Sequence, residues 1–255
     1  MTEEMSRVQR SRSKKKTSQP GPKWKRYTKY TLLTLVTLGA AGTLAGVGAF
    51  TYYASSAPKV TNAALVGTSQ TQYLDKNGDV FYTSGSQKRE MAKQSEIPQE
   101  MRMAVVSIED RRFYKHHGVD PRRILGAAFA NFTGSSLGLQ GGSTLTQQLI
   151  KLTVFSTAAS DQTLKRKAQE AWLALKLEKQ YSKNQILTLY MNKVYMGNGV
   201  YGMKTAADYY FGKSLDQLST PQMALLAGLP QSPTGYNPYN NPKDAKNRRD
   251  EVLEA

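Results

Sequence analysis

The chain has 255 residues, 39% of them hydrophobic, which allows one sizeable domain with its own core and excludes a wholly disordered chain. It has no Cys and only two His, the adjacent His116 and His117, so disulfides, thiolate zinc sites, Fe–S clusters, a cysteine nucleophile and a multi-histidine metal site are excluded. A net charge of +16 indicates an anionic partner, nucleic acid or a membrane, and its distribution along the chain decides between them.

Residues 1–29 carry ten basic and two acidic side chains, half of the net charge in the first ninth of the chain. This basic, Ser-rich tail cannot bury a core. From Tyr30 to Pro58 there is no charge at all. Residues 30–54 are apolar enough for a single transmembrane helix, about 35 Å long. Tyr27, Tyr30, Tyr52 and Tyr53 sit where interfacial aromatics belong. The positive-inside rule makes the tail cytoplasmic and everything after the span extracytoplasmic. The alternative is a cleavable signal peptide, with Ser55 and Ala57 as small cleavage-site residues, but the apolar stretch exceeds the usual h-region. The charge therefore points to a membrane and not to nucleic acid.

Residues 55–95 read as an extracytoplasmic stem. Within it, Asn77-Gly78 between TQYLDK and DVFYT is a strong short-range β-hairpin signal. From residue 96 the pattern is mostly α. Pro98 suits the first turn of a helix running into Ile108. Ser143 or Thr144 starts a helix through about Phe155. Leu164, Ala168, Ala171, Trp172 and Leu175 form an apolar stripe on a helix through about Gln180. Ser182 with Gln185 is a capping box for a helix through about Tyr195. Thr220-Pro221 starts another, ended by Gly228 and Pro230.

Three segments carry groups able to do chemistry. In Ser107–Gly118, Glu109 and Asp110 follow an apolar helix beside Phe113 and Tyr114. A carboxylate at a helix end among buried aromatics suits acid–base work. The plainer alternative is surface ion pairing with Arg111 and Arg112. In Gly141–Lys151, Gly-Gly-Ser-Thr lets backbone N–H groups approach an anion at a helix start. Thr144, Gln147, Gln148 and Lys151 then make one polar stripe, which lines a cleft or faces solvent. In Arg166–Glu170, Arg166 and Lys167 share a helical face with Glu170, either as a helix-stabilising ion pair or as a second carboxylate among cations that hold a diphosphate. Two such carboxylates are the minimum set for acid–base chemistry at a glycosidic centre. Gln231, Asn237 and Asn241 in the late Pro-rich loop read as turn residues, and Arg248 and Arg249 as structural.

Together these segments resemble the peptidoglycan glycosyltransferase (transglycosylase) domain of class A penicillin-binding proteins and their monofunctional relatives. The first motif, Glu109-Asp110-x-x-Phe113-x-x-His116-x-Gly118, is complete. The second, Gly141-Gly142-Ser143-Thr144-Leu145-Thr146-Gln147-Gln148, has Leu for the usual Ile. Arg166-Lys167-x-x-Glu170, then Lys183-x-x-Ile186-Leu187 through Tyr190-Met191-Asn192, then Arg248-Arg249-x-x-Val252-Leu253 complete the order. The chain departs from the family at Thr188, usually Glu, and at Gln162, often Arg.

The resemblance implies a mostly α, lysozyme-like, two-lobed glycosyltransferase domain over 96–255, behind the single N-terminal helix. A small lobe over 119–140, with Ile124, Leu125, Phe129 and Phe132, would face the membrane. The substrate implied is lipid II, polymerised into β-1,4-linked glycan strands. Glu109 and Glu170 would be the catalytic pair. Asp110, Ser143, Thr144, Gln147, Gln148, Lys151, Arg166 and Lys167 would bind substrate. Glu170 would also orient the diphosphate, directly or through a bound divalent cation, Mg or Mn; no organic cofactor is implied. Implied partners are the growing strand, membrane lipid and other cell wall synthesis and division proteins. Two rivals stay open: a membrane-anchored muramidase-like hydrolase, and a non-enzymatic basic cell-wall-binding protein.

Overall fold

The computed structural model describes residues 23–66, 71–84, 90–133, 142–155 and 163–255. The basic tail up to residue 22, residues 134–140 of the expected small lobe, Gly141 and Gln162 lie outside them. The chain divides into two units, residues 1–49 and 50–255.

Helix α1 spans Lys23–Ser55, and its Tyr27–Ser55 portion is long and apolar enough to cross a membrane. It starts ahead of the apolar tract, because Lys and Arg are good helix formers and only hydropathy marks where the lipid-compatible part begins. Within the first unit, Trp24 and residues 27–49 are exposed, as a lipid-facing helix requires. The hydroxyls of Thr28, Thr31, Thr34 and Thr43 donate to carbonyls four residues back. Each polar group is thereby satisfied inside the helix, which hydrocarbon demands.

The second unit is mostly helical. It begins with the short α2 (Asn62–Val66) and a hairpin, β1 (Thr71–Leu74) antiparallel to β2 (Val80–Ser84). The hairpin forms where Asn77-Gly78 marks it, but its turn is longer than two residues. Asp75 Oδ1 accepts from the backbone N–H groups of Asn77 and Asp79, and only Gly78, at φ +88°, takes a left-handed conformation. The Asp75 side chain thus selects the wider turn.

The helical body follows: α3 (Gln99–Glu109), α4 (Pro121–Thr133), α5 (Leu145–Val154), α6 (Leu164–Leu177), α7 (Lys183–Lys193), α8 (Met203–Phe211), α9 (Thr220–Gly228) and α10 (Pro242–Glu254). Helix α5 packs between α6 and α7, while α9 packs on α3 and α10. Met101 and Val105, Leu145 and Leu149, Leu173 and Leu177, Ile186 and Tyr190, and Leu226 interlock in one core. Capping sets where the helices begin. Thr144 accepts from Gln147 N at 3.2 Å while Gln147 Oε1 accepts from Thr144 N at 3.0 Å, and Ser182 with Gln185 repeats the pattern on α7. On α9 the N-cap is Ser219, one residue before the expected Thr220.

Parts of the 55–95 segment pack into the helical body. Leu65 and Ala92 are buried in the core, and Asn192 bonds both the N–H and the C=O of Ala92 at 2.8 and 2.9 Å. Helix α6 forms as expected, but its apolar stripe is not its buried face. Leu164 is 83% exposed, and the buried positions are Arg166, Gln169, Glu170, Leu173, Ala174 and Leu177. Hydrophobic periodicity misidentifies the face because the Arg166–Glu170 ion pair and Gln169 occupy half of the inward side.

Candidate active site

A cleft of about 520 Å³ opens where five helices converge. The end of α3 contributes Glu109, and α4 contributes Arg123. From α5 come Gln147, Gln148 and Lys151, and from α6 Lys167 and Glu170. Ser143, Tyr195, the 230–233 loop and Arg248 of α10 close it. Four cations (Arg123, Lys151, Lys167, Arg248) thus face two carboxylates, so the cleft carries a positive field suited to a polyanion.

Glu109 is the last residue of α3, where the helix yields to Asp110 in an extended conformation (φ −157°). Its Oε2 accepts from Gln148 Nε2 at 2.9 Å. Its Oε1 is buried and has no hydrogen-bond partner among the described residues. One oxygen is therefore held by Gln148 and the other has no hydrogen-bond partner. Gln148 in turn accepts from the Tyr190 hydroxyl at 3.2 Å. Burial first, then the nearby Glu109 charge, pushes the Tyr190 phenol well above its usual range, so this hydroxyl stays protonated.

Asp110 does not line the cleft, contrary to expectation. Its side chain is fully buried, because it ties the first motif together. Its Oδ2 accepts from His116 Nε2 at 2.9 Å and from the backbone N–H of Leu145 at 3.0 Å. Its Oδ1 lies 3.2 Å from Arg123 Nη1, which also donates to the Glu109 carbonyl at 2.9 Å. A carboxylate on the first turn of α5 also suits the helix dipole. Gly118 belongs to the same device. At φ +80° it lies against the backbone of α6, where a Cβ would stand 2.8 Å from Ala174 C and O. Only glycine allows that approach.

Thr144 is likewise buried, as the N-cap of α5, and its hydroxyl donates to the Gly118 carbonyl at 2.6 Å. It positions the stripe and is not in the cleft wall. Ser143, Gln147, Gln148 and Lys151 do reach the cleft, and Lys151 shares it with both Glu109 and Glu170.

Glu170 has 1% of its side chain exposed and lies between two cations, Arg166 Nε at 2.9 Å and Lys167 Nζ at 2.8 Å. Lys167 reaches into the cleft, where it also donates to Ser143 Oγ at 3.3 Å. Arg166 does not line it. It is buried, with its guanidinium 5.5 Å from the Phe155 ring centroid. Lys151 and Lys167 thus share the cleft with Glu170, and Arg166 holds Glu170 from outside the cleft wall. No group of three His, Asp or Glu able to hold a metal occurs among the described residues. Glu170 alone, with both oxygens engaged by cations, is a poor donor set for Mg or Mn.

Arg123, Tyr195, Gln231 and Arg248 are cleft residues that the sequence reading did not select. Arg248 carried a signal, its place in the fifth motif, but lies far along the chain. Packing of α10 on α9 returns it to the site, where its Nε donates to the Gly228 carbonyl at 3.3 Å.

Comparison with known proteins gives the same grouping. The transglycosylase family profile matches residues 77–255. Penicillin-binding protein 1A of Streptococcus oralis is 54% identical over 213 residues, 84% of this chain and 33% of that protein. Penicillin-binding protein 1A of Streptococcus pneumoniae is 53% identical over 213 residues, 84% of this chain and 29% of that protein. The chain spans a third or less of the length of these relatives. A crystal structure of penicillin-binding protein 1A from Haemophilus influenzae aligns with 73% of this chain and 18% of that one, at a TM-score of 0.39 and 24% identity. With the profile matched over most of the chain and these identities, the chain belongs to the transglycosylase family.

Proposed function

We propose that this chain is a peptidoglycan glycosyltransferase that polymerises lipid II into β-1,4-linked glycan strands. The observation that carries the reading is the pairing, in one cleft, of a carboxylate with an unpartnered oxygen (Glu109) and a cationic wall around Glu170. Glu109 Oε1 takes the proton of the acceptor 4-hydroxyl. The freed oxygen attacks C1 of the donor sugar, the C1–O bond to diphosphate breaks, and the configuration inverts. Lys151 and Lys167 receive the negative charge on the leaving diphosphate. Glu170 holds Lys167 in place, and Arg166 balances Glu170 from behind. The proton on Glu109 returns to solvent.

The apolar helix α1 supports a membrane anchor with the catalytic body extracytoplasmic, as the charge asymmetry around residues 30–54 favours. On α4, Ile124 and Leu125 are 47% and 70% exposed, which supports contact with the bilayer that holds the substrate. Lipid II and the growing strand are the partners this reading requires.

Incubation of the protein with labelled lipid II tests the function. Polymer formation with release of undecaprenyl diphosphate is expected. Shortening of preformed glycan without lipid II consumption would favour a muramidase-like hydrolase, and binding without turnover a structural role.

A further inference from the structure

The Gln148–Tyr190 pair beside Glu109 has no part in the chemistry just described, yet its geometry determines which oxygen of that carboxylate is left without a partner. We infer that Tyr190 is a positioning residue: its hydroxyl sets the orientation of the Gln148 amide, which in turn holds Glu109 by Oε2 and leaves Oε1 as the oxygen without a partner. This rests on the glycosyltransferase reading and deepens it.

The argument is one of donor and acceptor counting. An ionised carboxylate can only accept, so the group facing Glu109 Oε2 must be a donor. Gln148 meets that need only with its Nε2 turned to Glu109, at 2.9 Å. Its carbonyl oxygen then points the other way, to the Tyr190 hydroxyl at 3.2 Å. A carboxamide turns over readily about its last bond, because the two ends have nearly the same shape. Tyr190 removes that freedom. It is wholly buried on α7 and locked in the core, and its hydroxyl must use its proton on the acceptor in reach. Burial and the neighbouring Glu109 charge keep that proton in place throughout any working pH range. The consequence is directional. Oε2 is occupied, and Oε1 is the oxygen left without a hydrogen-bond partner.

Without the phenol, the amide is free to turn its oxygen toward Glu109. Oxygen against carboxylate is repulsive unless the carboxyl takes a proton, and a protonated Glu109 cannot act as base. The loss therefore has a pH signature that general damage lacks. The other charged groups at the cleft are Arg123 from α4, Lys151 from α5, Lys167 and Glu170 from α6, and Arg248 from α10. None is changed by the substitutions below.

The test is the pH profile of kcat/KM for lipid II polymerisation by the full chain in detergent micelles. For Tyr190→Phe, the acidic limb should move to higher pH by about one unit, with the rate recovering toward the parent value on the alkaline side. Gln148→Met, which removes the amide donor itself, should move the limb in the same direction. Adding Tyr190→Phe to Gln148→Met should shift it no further, because no amide remains to orient. A Tyr190→Phe profile that overlies the parent, or falls by the same factor at every pH, overturns the inference. So does an additional shift in the double variant. If Tyr190→Phe does not fold, the Gln148→Met profile decides: an unmoved limb overturns the inference. A parent protein that makes no polymer overturns the glycosyltransferase reading, and this inference with it.

Discussion

At the scale of single residues, the two glutamates have opposite environments and should respond differently to the same substitution. Glu170 is enclosed by Arg166 and Lys167 with 1% of its side chain exposed, so it is part of the structure as well as of the site. Glu170→Gln removes the carboxylate that the buried Arg166 guanidinium meets at 2.9 Å. Breaking a buried pair in this way costs about 3 kcal/mol. The melting temperature should fall, and KM for lipid II should rise as Lys167 loses its anchor. Lys151 has the reverse profile. It reaches the cleft from the last turn of α5, outside the core cluster. Lys151→Ala should lower lipid II turnover far more than it lowers the melting temperature. A loss of turnover no greater than the loss of folded protein would remove Lys151 from the diphosphate site.

At the scale of elements, the site depends on where α5 begins. Thr144 caps it, Asp110 accepts from its first N–H, and the Thr144 hydroxyl holds the Gly118 carbonyl. Thr144→Ala should cost about 1–2 kcal/mol of unfolding free energy, measured by denaturant titration, and should lower turnover although Thr144 lines no cleft wall. The same connections show how much was legible in advance. The capping boxes of α5 and α7 and the apolar run of α3 are local signals, and those helices formed where expected. The buried face of α6 was not legible, because burial of Arg166 and Glu170 is a tertiary outcome that local hydropathy opposes. Helix α10 was missed for a related reason. Its sequence, PKDAKNRRDEVLE, is so polar that only Ala245, Arg248 and Val252 are buried, and no apolar stripe announces it. Asp110 and Thr144, expected at the substrate, lie buried away from the cleft wall, because a motif names residues without saying which point inward. The order of five motifs supplies the proposed catalytic pair, which spacing alone does not separate from ordinary ion pairs.

At the scale of the whole molecule, charge and hydropathy bear on where the proposed reaction occurs. The apolar helix α1 follows a strongly basic tail, and the cleft itself is lined by four cations and two carboxylates. Protease added to intact protoplasts should digest the body and spare the tail; a shortened protein released into the medium would instead indicate signal cleavage. Because the cleft is open to solvent, its attraction for a diphosphate should be screened. Raising salt from about 0.1 M to about 1 M shortens the screening length from about 10 Å to about 3 Å. KM for lipid II should rise over that range while kcat changes less.

The central claim is that Glu109 is the general base of a lipid II polymerase. The most direct measurement compares polymerisation of labelled lipid II by the parent chain and by Glu109→Gln, with the melting temperature of each recorded. Glutamine keeps the shape and can still accept from Gln148, so folding should be unchanged and a cationic-site ligand such as moenomycin should still bind. The rate should fall by at least roughly 10²–10⁴-fold, the span typical of acid–base catalysis. A Glu109→Gln protein that polymerises lipid II at near the parent rate would contradict the mechanism.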